Sequence, residues 1–148
     1  MIEIRWARAH LFGVLLKRVE HAKGLSLSNL KSIAVVEDDA SLRAALENLI
    51  GSHGLDVHGF ANAEAFLAQR DSIEIDCLIT DVQMEGMGGV ELFDTLRRIG
   101  DTTPVIFMTA FEDERIRRQV MTAGATAYFK KPFDCEAVID CIEHCLAL

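Results

Sequence analysis

The sequence predicts an α/β fold in which a five-stranded parallel sheet carries helices on both faces. Five strand-like segments alternate with segments whose apolar residues recur at helical spacing, and the first strand-like segment, residues 33–36, is a short apolar run rich in β-branched residues. Such runs are typical of strands buried on both faces, and their alternation with helices is typical of a parallel sheet. The 148 residues, half of them hydrophobic, correspond to one domain.

The first half of this domain is predicted to contain three strands and two helices. The strands lie at residues 33–36, 56–60 and 75–80. Asn62 is a suitable N-cap for a short second helix through Phe66 and Leu67. The first helix is expected to end at the glycines 51 and 54, and its apolar face contains Leu42, Ala45, Leu46, Leu49 and Ile50.

The second half is predicted to contain two further strands, at residues 104–109 and 127–130, and three helices. The third helix presents Val90, Phe93 and Leu96, with Leu92 and Ile99 on its flank. The fourth, at residues 112–122, is polar except for Ile116 and Val120 and ends before Gly124. The fifth begins after the cap Asp134 and places Val138, Cys141, Ile142 and Cys145 on one face.

Charge is distributed unevenly along the chain. Residues 1–31 contain six basic and two acidic residues, a net charge of +4, whereas residues 32–148 carry −12. An acidic body disfavours binding to phosphate backbones, so we expect no direct contact with nucleic acid. No apolar run approaches the roughly 18 residues that a membrane span needs.

Residues 1–32 are predicted to be a basic N-terminal extension and linker, and residues 33–148 the domain. Apolar residues of the extension recur at roughly helical spacing between basic ones: Ile4, Leu11, Leu15 and Val19. A basic amphipathic helix that binds a membrane surface or a partner is one interpretation. A loosely ordered extension is the other, and it is preferred. A signal peptide is disfavoured because the apolar run is short and lacks a clear cleavage site.

The four cysteines predict reduced thiols and a cytoplasmic protein. Cys141 and Cys145, with His144 beside them, have a spacing that could supply part of a zinc site on a helix. The preferred interpretation is that they belong to an apolar helix face, where thiols pack as small hydrophobes.

Polar side chains follow four of the five predicted strands. Glu37, Asp38 and Asp39 follow the first strand and Asp81 the third, while Thr109 ends the fourth and the pair of lysines 130 and 131 follows the fifth. Because the carboxyl ends of parallel strands meet at one edge of a sheet, these groups are expected to converge. Clustered carboxylates suit Mg²⁺, and a neighbouring lysine and hydroxyl suit phosphoryl chemistry. Asp81, alone at the end of the central strand, is the best candidate for the acceptor carboxylate.

The alternative is that these residues are ordinary helix caps and solvated acids. That alternative explains Asp39 and Asp134 well. It does not explain why the residues at four strand ends all carry groups suited to phosphoryl chemistry.

Four segments in this order resemble the receiver domain of two-component response regulators. They are IAVVEDDASLR at 33–43, LITDVQMEGMGG at 78–89, PVIFMTA at 104–110 and GATAYFKKPF at 124–133. The resemblance covers nearly all of residues 33–148 and implies the flavodoxin-like (βα)5 receiver fold.

The resemblance implies that Asp81 is the phosphoacceptor. Asp38, Asp81 and the backbone carbonyl of Gln83 would bind Mg²⁺ directly, and Glu37 would act through a metal-bound water. Arg43 sets this alignment, because the family often has arginine six residues after the first acid.

The resemblance also assigns three residues to the response. Thr109 resembles the switch hydroxyl, Tyr128 the aromatic switch residue, and Lys131 the lysine that contacts the phosphoryl group. The bond between Lys131 and Pro132 is expected to be cis, as is usual in the family.

Two positions depart from the family pattern. Glu37 replaces the commoner Asp, and Glu85 stands where the family usually has proline, which is expected to loosen the loop after Asp81. Gln83 and Phe111 occupy positions that tune dephosphorylation in the family, and a bulky Phe111 is one candidate for a shield over the phosphoryl group.

The function implied is that of a signalling switch in a bacterial phosphorelay rather than an enzyme. A sensor histidine kinase or phosphotransfer protein would supply the phosphoryl group. The surface of the fourth helix, fifth strand and fifth helix would then bind a partner or form a homodimer. Two alternatives are a non-phosphorylated adaptor and an aspartyl phosphatase, but the phosphatase needs an acid where Gln83 stands. The chain is expected to be a stand-alone receiver or one cut from a longer protein.

Overall fold

A computed structural model describes residues 30–147 of the chain. It contains five strands, which are β1 (Ser32–Val36), β2 (Asp56–Phe60), β3 (Cys77–Asp81), β4 (Val105–Thr109) and β5 (Ala127–Lys130). Its five α-helices are α1 (Ala40–Ser52), α2 (Ala63–Gln69), α3 (Gly89–Arg98), α4 (Glu114–Thr122) and α5 (Cys135–Ala147). A 3₁₀ turn at Arg70–Ser72 follows α2.

The strands form one parallel sheet in the order β2-β1-β3-β4-β5. The chain runs from β1 outward to β2 and then crosses to β3 on the other side of β1. Strand order therefore reverses between β1 and β3, and such a reversal opens a crevice at the carboxyl ends of these strands. The predicted α/β class and five-stranded parallel sheet are confirmed.

Alternation along each strand divides the core into two layers. In β1, Ile33 and Val35 face the layer that α1 and α5 cover, whereas Ala34 and Val36 face the layer under α2, α3 and α4. The inner strands β1, β3 and β4 are therefore buried on both sides and are mostly apolar, whereas the edge strands β2 and β5 are partly exposed. The largest buried side chains include Phe66, Phe93, Phe107, Leu46, Ile50 and Ile106.

Side-chain caps fix where several helices begin. Asp39 accepts hydrogen bonds from the backbone N–H groups of Ser41 and Leu42 at the start of α1. Asn62 caps α2 as predicted, through the N–H of Ala65. Asp113 caps α4, so that helix begins at Glu114, two residues later than predicted.

Some details of the predicted elements were wrong. Helix α1 continues through Gly51 to Ser52, and Gly54, with a φ of 76°, lies beyond its end. Ala45 is exposed rather than part of the buried face, because Leu46 and Ile50 occupy the contact with the sheet. Ile99 is 64% exposed, because it follows the last residue of α3.

The cysteines pack as the apolar interpretation predicts. Cys77 and Cys145 are buried and Cys141 is partly buried, in the layer that α5 shares with β1, β3 and β4. Within residues 30–147, no group of three potential ligands is formed around Cys141, His144 and Cys145.

The predicted basic extension and linker span residues 1–32, of which residues 1–29, with the amphipathic face, lie outside the described residues, and Ser32 is the first residue of β1. Among the helices at 30–147, none combines the length and apolar content needed to cross a bilayer.

A charged cluster connects the segments that follow the C-terminal ends of α2 and α3. Arg70 Nε donates to Asp101 Oδ2 at 2.7 Å, and the same arginine donates to the carbonyl of Ile73 and the hydroxyl of Thr103. Thr103 donates to Asp101 from both its N–H and its hydroxyl. Burial alone would raise the pKa of Asp101, but the hydrogen bonds from Arg70 and Thr103 outweigh it and hold the pKa below its usual value.

We predict that Asp101→Asn lowers the free energy of unfolding at neutral pH by about 1–2 kcal/mol, because the charge-assisted bond to Arg70 is lost. The folded-state pKa is depressed, so this contribution is present above the unfolded pKa and disappears as pH falls through the folded value. The difference from wild type in urea unfolding should therefore shrink below about pH 4. Asp71→Asn changes an exposed acid in the 3₁₀ turn that contains Arg70, and it is the control. An equal loss of unfolding free energy in both variants would contradict a specific contribution from the pair of Arg70 and Asp101.

Candidate phosphoacceptor site

Three acidic residues meet at the carboxyl ends of β1 and β3. The register pairs Val36 with Thr80, so Glu37 and Asp81 follow neighbouring positions of adjacent strands. Glu37, Asp38 and Asp81 each place a carboxylate oxygen within 4.8 Å of the others. Glu37 is fully buried and Asp81 is 6% exposed, whereas Asp38 is exposed. The cluster therefore has a buried floor and one side open to solvent.

Lys131 supplies the positive charge of this cluster. Its Nζ donates to Asp81 Oδ2 at 2.8 Å and to Glu37 Oε2 at 2.9 Å. Lys131 follows β5, at the far edge of the sheet from Glu37, and its long side chain reaches across β4. The predicted cis bond between Lys131 and Pro132 is confirmed.

The pKa values follow from burial opposed by pairing. Burial is the largest influence on Glu37 and raises its pKa, although hydrogen bonds from Lys131 and the N–H of Asp39 oppose the shift. Burial would lower the pKa of Lys131, but its hydrogen bonds to Asp81 and Glu37 outweigh that effect and leave the pKa raised. Lys131 therefore stays charged at neutral pH.

Backbone groups and one arginine hold the acids in place. Asp81 Oδ1 accepts from the N–H of Gln83 at 3.1 Å, and Glu37 Oε1 accepts from the N–H of Asp39 at 3.2 Å. Arg43 donates to the carbonyl of Glu37 at 2.8 Å. The sequence motif indicates only where Arg43 stands relative to the first acid, and the contact of Arg43 with the acidic loop was not predicted.

Thr109 lies at the end of β4 and is buried, but its hydroxyl is bonded to the following loop. Oγ1 donates to the carbonyl of Phe111 at 2.8 Å and accepts from the N–H of the same residue at 3.1 Å. Phe111 itself is 69% exposed. The predicted switch hydroxyl is thus at the expected edge of the sheet, engaged with the loop between β4 and α4.

Tyr128 is partly buried on β5, on the side of the sheet that α4 covers. Its ring centroid lies 6.5 Å from that of Phe107. Its hydroxyl oxygen is buried and, among residues 30–147, has no partner with hydrogen-bond geometry. Burial is the main reason that the pKa of Tyr128 is raised, with the hydroxyl of Thr109 acting in the opposite direction.

The loop after Asp81 contains a contact that sequence reasoning missed. Glu64, in the first turn of α2, accepts a hydrogen bond from the N–H of Met87. Glu85, in the same loop, is exposed and lies outside the acidic cluster of the described residues. The sequence gives no signal for Glu64, since its partner is a backbone group in another element.

These features define a class of protein: a parallel α/β domain with a buried acid–lysine cluster at its topological switch point. The family described as the response regulator receiver domain matches residues 33–143. The chain belongs to that family, whose members are signalling switches of two-component systems.

Two curated bacterial relatives illustrate the match. The chain is 33% identical over 120 residues to the transcriptional regulatory protein TdiR of Thauera aromatica, covering 81% of this chain and 53% of the relative. It is 32% identical over 114 residues to the transcriptional regulatory protein FixJ of Bradyrhizobium diazoefficiens, covering 77% of this chain and 56% of the relative. The chain thus spans about half the length of the curated relatives that it matches.

Solved structures agree with the fold. The response regulator StyR superposes with a TM-score of 0.74 at 39% identity, covering 80% of this chain and 60% of that one. The structure described as FixJ-N superposes with a TM-score of 0.72 at 31% identity, covering 78% of this chain and 92% of that one.

We predict that Lys131→Met destabilises the metal-free protein by about 2 kcal/mol, because Glu37 and Asp81 then share a buried site without a counter-charge. Lys130→Met is the matched control: Lys130 is exposed and pairs only with the exposed Glu112, so its removal should cost less than about 0.5 kcal/mol. Urea unfolding in EDTA measures both. Equal losses from the two lysines would contradict the buried pairing.

Proposed function

We propose that Asp81 accepts a phosphoryl group from the phosphohistidine of a sensor kinase or of a phosphotransfer protein. The observation that supports this most directly is the pair of contacts that Lys131 Nζ makes with Asp81 Oδ2 and Glu37 Oε2. A carboxylate nucleophile needs neighbouring positive charge when it takes on a phosphoryl group, and a fixed ammonium group provides it. We place this exchange in the cytoplasm, where the reduced cysteines are expected.

In the transfer, a carboxylate oxygen of Asp81 bonds to phosphorus as the phosphorus–nitrogen bond of phosphohistidine breaks. The imidazole nitrogen keeps the electron pair of that bond and takes up a proton. Hydrogen bonds to both oxygens fix the direction of the Asp81 carboxylate, from Gln83 at Oδ1 and from Lys131 at Oδ2. Lys131 also lies close enough to offset the charge of the incoming group.

The acidic residues fit a magnesium ion. Asp38, Asp81 and the backbone carbonyl of Gln83 would hold Mg²⁺, and Glu37 would act on it indirectly. The clustered oxygens match the preference of Mg²⁺ for oxygen ligands, and the exposure of Asp38 leaves the cluster open to the water that this ion retains. When bound, the ion supplies positive charge that stabilises the transferred phosphoryl group.

Thr109 and Tyr128 would transmit the change. A phosphoryl oxygen is a stronger acceptor than the carbonyl of Phe111, so the Thr109 hydroxyl would turn from the loop toward Asp81. Because the Tyr128 hydroxyl is already enclosed, its further inward rotation would be a small movement. These shifts would change the population of conformations of the surface formed by α4, β5 and α5.

That surface presents exposed basic side chains. Arg115 is 94% exposed, and Arg117 and Arg118 on the same helix are also exposed. We propose that the surface binds an acidic partner or a second copy of the domain after phosphorylation. Hydrolysis of the aspartyl phosphate would reset it.

We predict that a small phosphodonor such as acetyl phosphate labels the wild-type protein only when Mg²⁺ is present, and that Asp81→Asn reduces the label to background. Mass spectrometry of the intact protein measures the addition. Glu85→Gln, an exposed acid in the same loop, is the control and should be labelled as wild type. Label that survives in Asp81→Asn would contradict the acceptor assignment, and wild-type protein that takes no label would favour the adaptor.

We also predict that Phe111→Ala accelerates loss of the phosphoryl group several-fold, because the Phe111 backbone is bonded to the Thr109 hydroxyl and the exposed ring would restrict access of water to Asp81. The decay of labelled protein after removal of the donor measures this rate. Ile99→Ala, which removes an exposed apolar side chain from the other end of the sheet, is the control. An unchanged decay rate in Phe111→Ala would remove the shielding role.

A further inference from the structure

The loop that follows the acceptor strand is tied to helix α2 by the side chain of Glu64. Glu64 Oε1 accepts a hydrogen bond from the backbone N–H of Met87 at 2.9 Å. The two residues belong to different βα units. Glu64 lies in the first turn of α2, which follows β2, whereas Met87 lies between β3 and α3. The contact therefore joins the acceptor loop to an element that is fixed independently by its own cap, Asn62.

Gly86 lies in the turn that faces this carboxylate. It has a φ of 79°, and a Cβ placed on it would stand 2.9 Å from Glu64 Oε1. The positive φ would strain any other residue at position 86, and the flexible Glu64 side chain would have to shift. The backbone at Gly86 turns so that the next N–H faces Glu64.

The same loop carries backbone groups that contact Asp81 or that are proposed to bind Mg²⁺. Gln83 donates its N–H to Asp81 Oδ1, and its carbonyl is one of the ligands proposed for Mg²⁺. At the base of the loop the N–H of Gly89 donates to the carbonyl of Val82 at 3.0 Å. Gln83 thus lies between this base bond and the bond to Glu64, and movement at Met87 is transmitted to it through only three intervening residues.

Position 85, inside this span, holds an exposed Glu. A proline ring would restrict the backbone there, and glutamate does not. The hydrogen bond from the Met87 N–H to Glu64 restrains the backbone of the same part of the loop. This hydrogen bond also holds the pKa of Glu64 below its usual value, so Glu64 is a charged carboxylate at neutral pH.

We propose that Glu64 is a positioning residue for phosphoryl acceptance, which it supports by holding the acceptor loop through Met87. The proposal rests on the function proposed for Asp81. Without the bond, the loop would sample more conformations, and the Gln83 carbonyl would meet the acidic cluster less often. Mg²⁺ would then bind more weakly, while the Asp81 carboxylate itself would be unchanged.

Three variants of the full chain test this. Glu64→Ala removes the acceptor, Glu64→Gln keeps a carbonyl oxygen that accepts from Met87, and Glu74→Ala removes an exposed acid at the opposite end of the sheet as a matched control. NMR hydrogen exchange of the Met87 amide reports the bond directly. Calorimetric titration with Mg²⁺ and the Mg²⁺ dependence of acetyl phosphate labelling report its consequence.

We expect Glu64→Ala to speed exchange at Met87 and to weaken Mg²⁺ binding about three- to fivefold, the effect of losing one hydrogen bond. Glu64→Gln should recover most of both losses, and Glu74→Ala should match wild type. If Glu64→Ala speeds exchange but leaves Mg²⁺ binding unchanged, or if Glu64→Gln is as impaired as Glu64→Ala, the positioning role is wrong. Exchange and Mg²⁺ binding need no phosphoryl transfer, so wild-type protein that binds Mg²⁺ but takes no label would contradict the proposed function alone.

Discussion

The two ion pairs of Lys131 are the interaction on which the site depends. Glu37 and Asp81 are buried carboxylates on neighbouring strands, and two such charges repel one another unless a cation lies between them. Lys131 supplies that cation at 2.8 and 2.9 Å from the two acids. The pairing places a fixed positive charge beside the buried Asp81 carboxylate, which the proposed phosphoryl acceptance needs. It also links the segment after β5 to the carboxyl ends of β1 and β3, and β5 is the strand that carries Tyr128.

The sheet provides this arrangement because of its topology. All five strands are parallel, so their carboxyl ends lie at one edge, and strand order reverses between β1 and β3. The helices fill both faces and leave that edge to loops. Those loops are held by local bonds: Asp39 and Arg43 at the acidic loop, Glu64 at the acceptor loop, and the Thr109 hydroxyl at the loop before α4. Of these, only the Thr109 bond would be broken when a stronger acceptor arrives at Asp81, which makes it suited to start a switch.

Most of the fold follows from local patterns. The strand at 56–60 and the strand at 127–130 have their predicted bounds. Boundaries were missed where a cap outweighs periodicity, as at Asp113, or where a glycine is tolerated inside a helix, as at Gly51. The convergence of Glu37, Asp38, Asp81 and Lys131 could be predicted because parallel strands bring their ends together. The contacts of Arg43 and Glu64 could not, because each side chain binds a backbone group whose position depends on loop conformation rather than on residue type.

The most direct test of phosphoryl acceptance at Asp81 is a crystal structure of the protein with Mg²⁺ and BeF₃⁻, which imitates a phosphoryl group bound to a carboxylate. We expect beryllium bound to an Asp81 carboxylate oxygen, with Lys131 Nζ and Thr109 Oγ1 within hydrogen-bond distance of the fluorines and the bond from Thr109 to the Phe111 carbonyl broken. Beryllium bound to another residue would contradict the acceptor assignment. Beryllium on Asp81 with the Thr109 hydroxyl still bonded to Phe111 would contradict the switch.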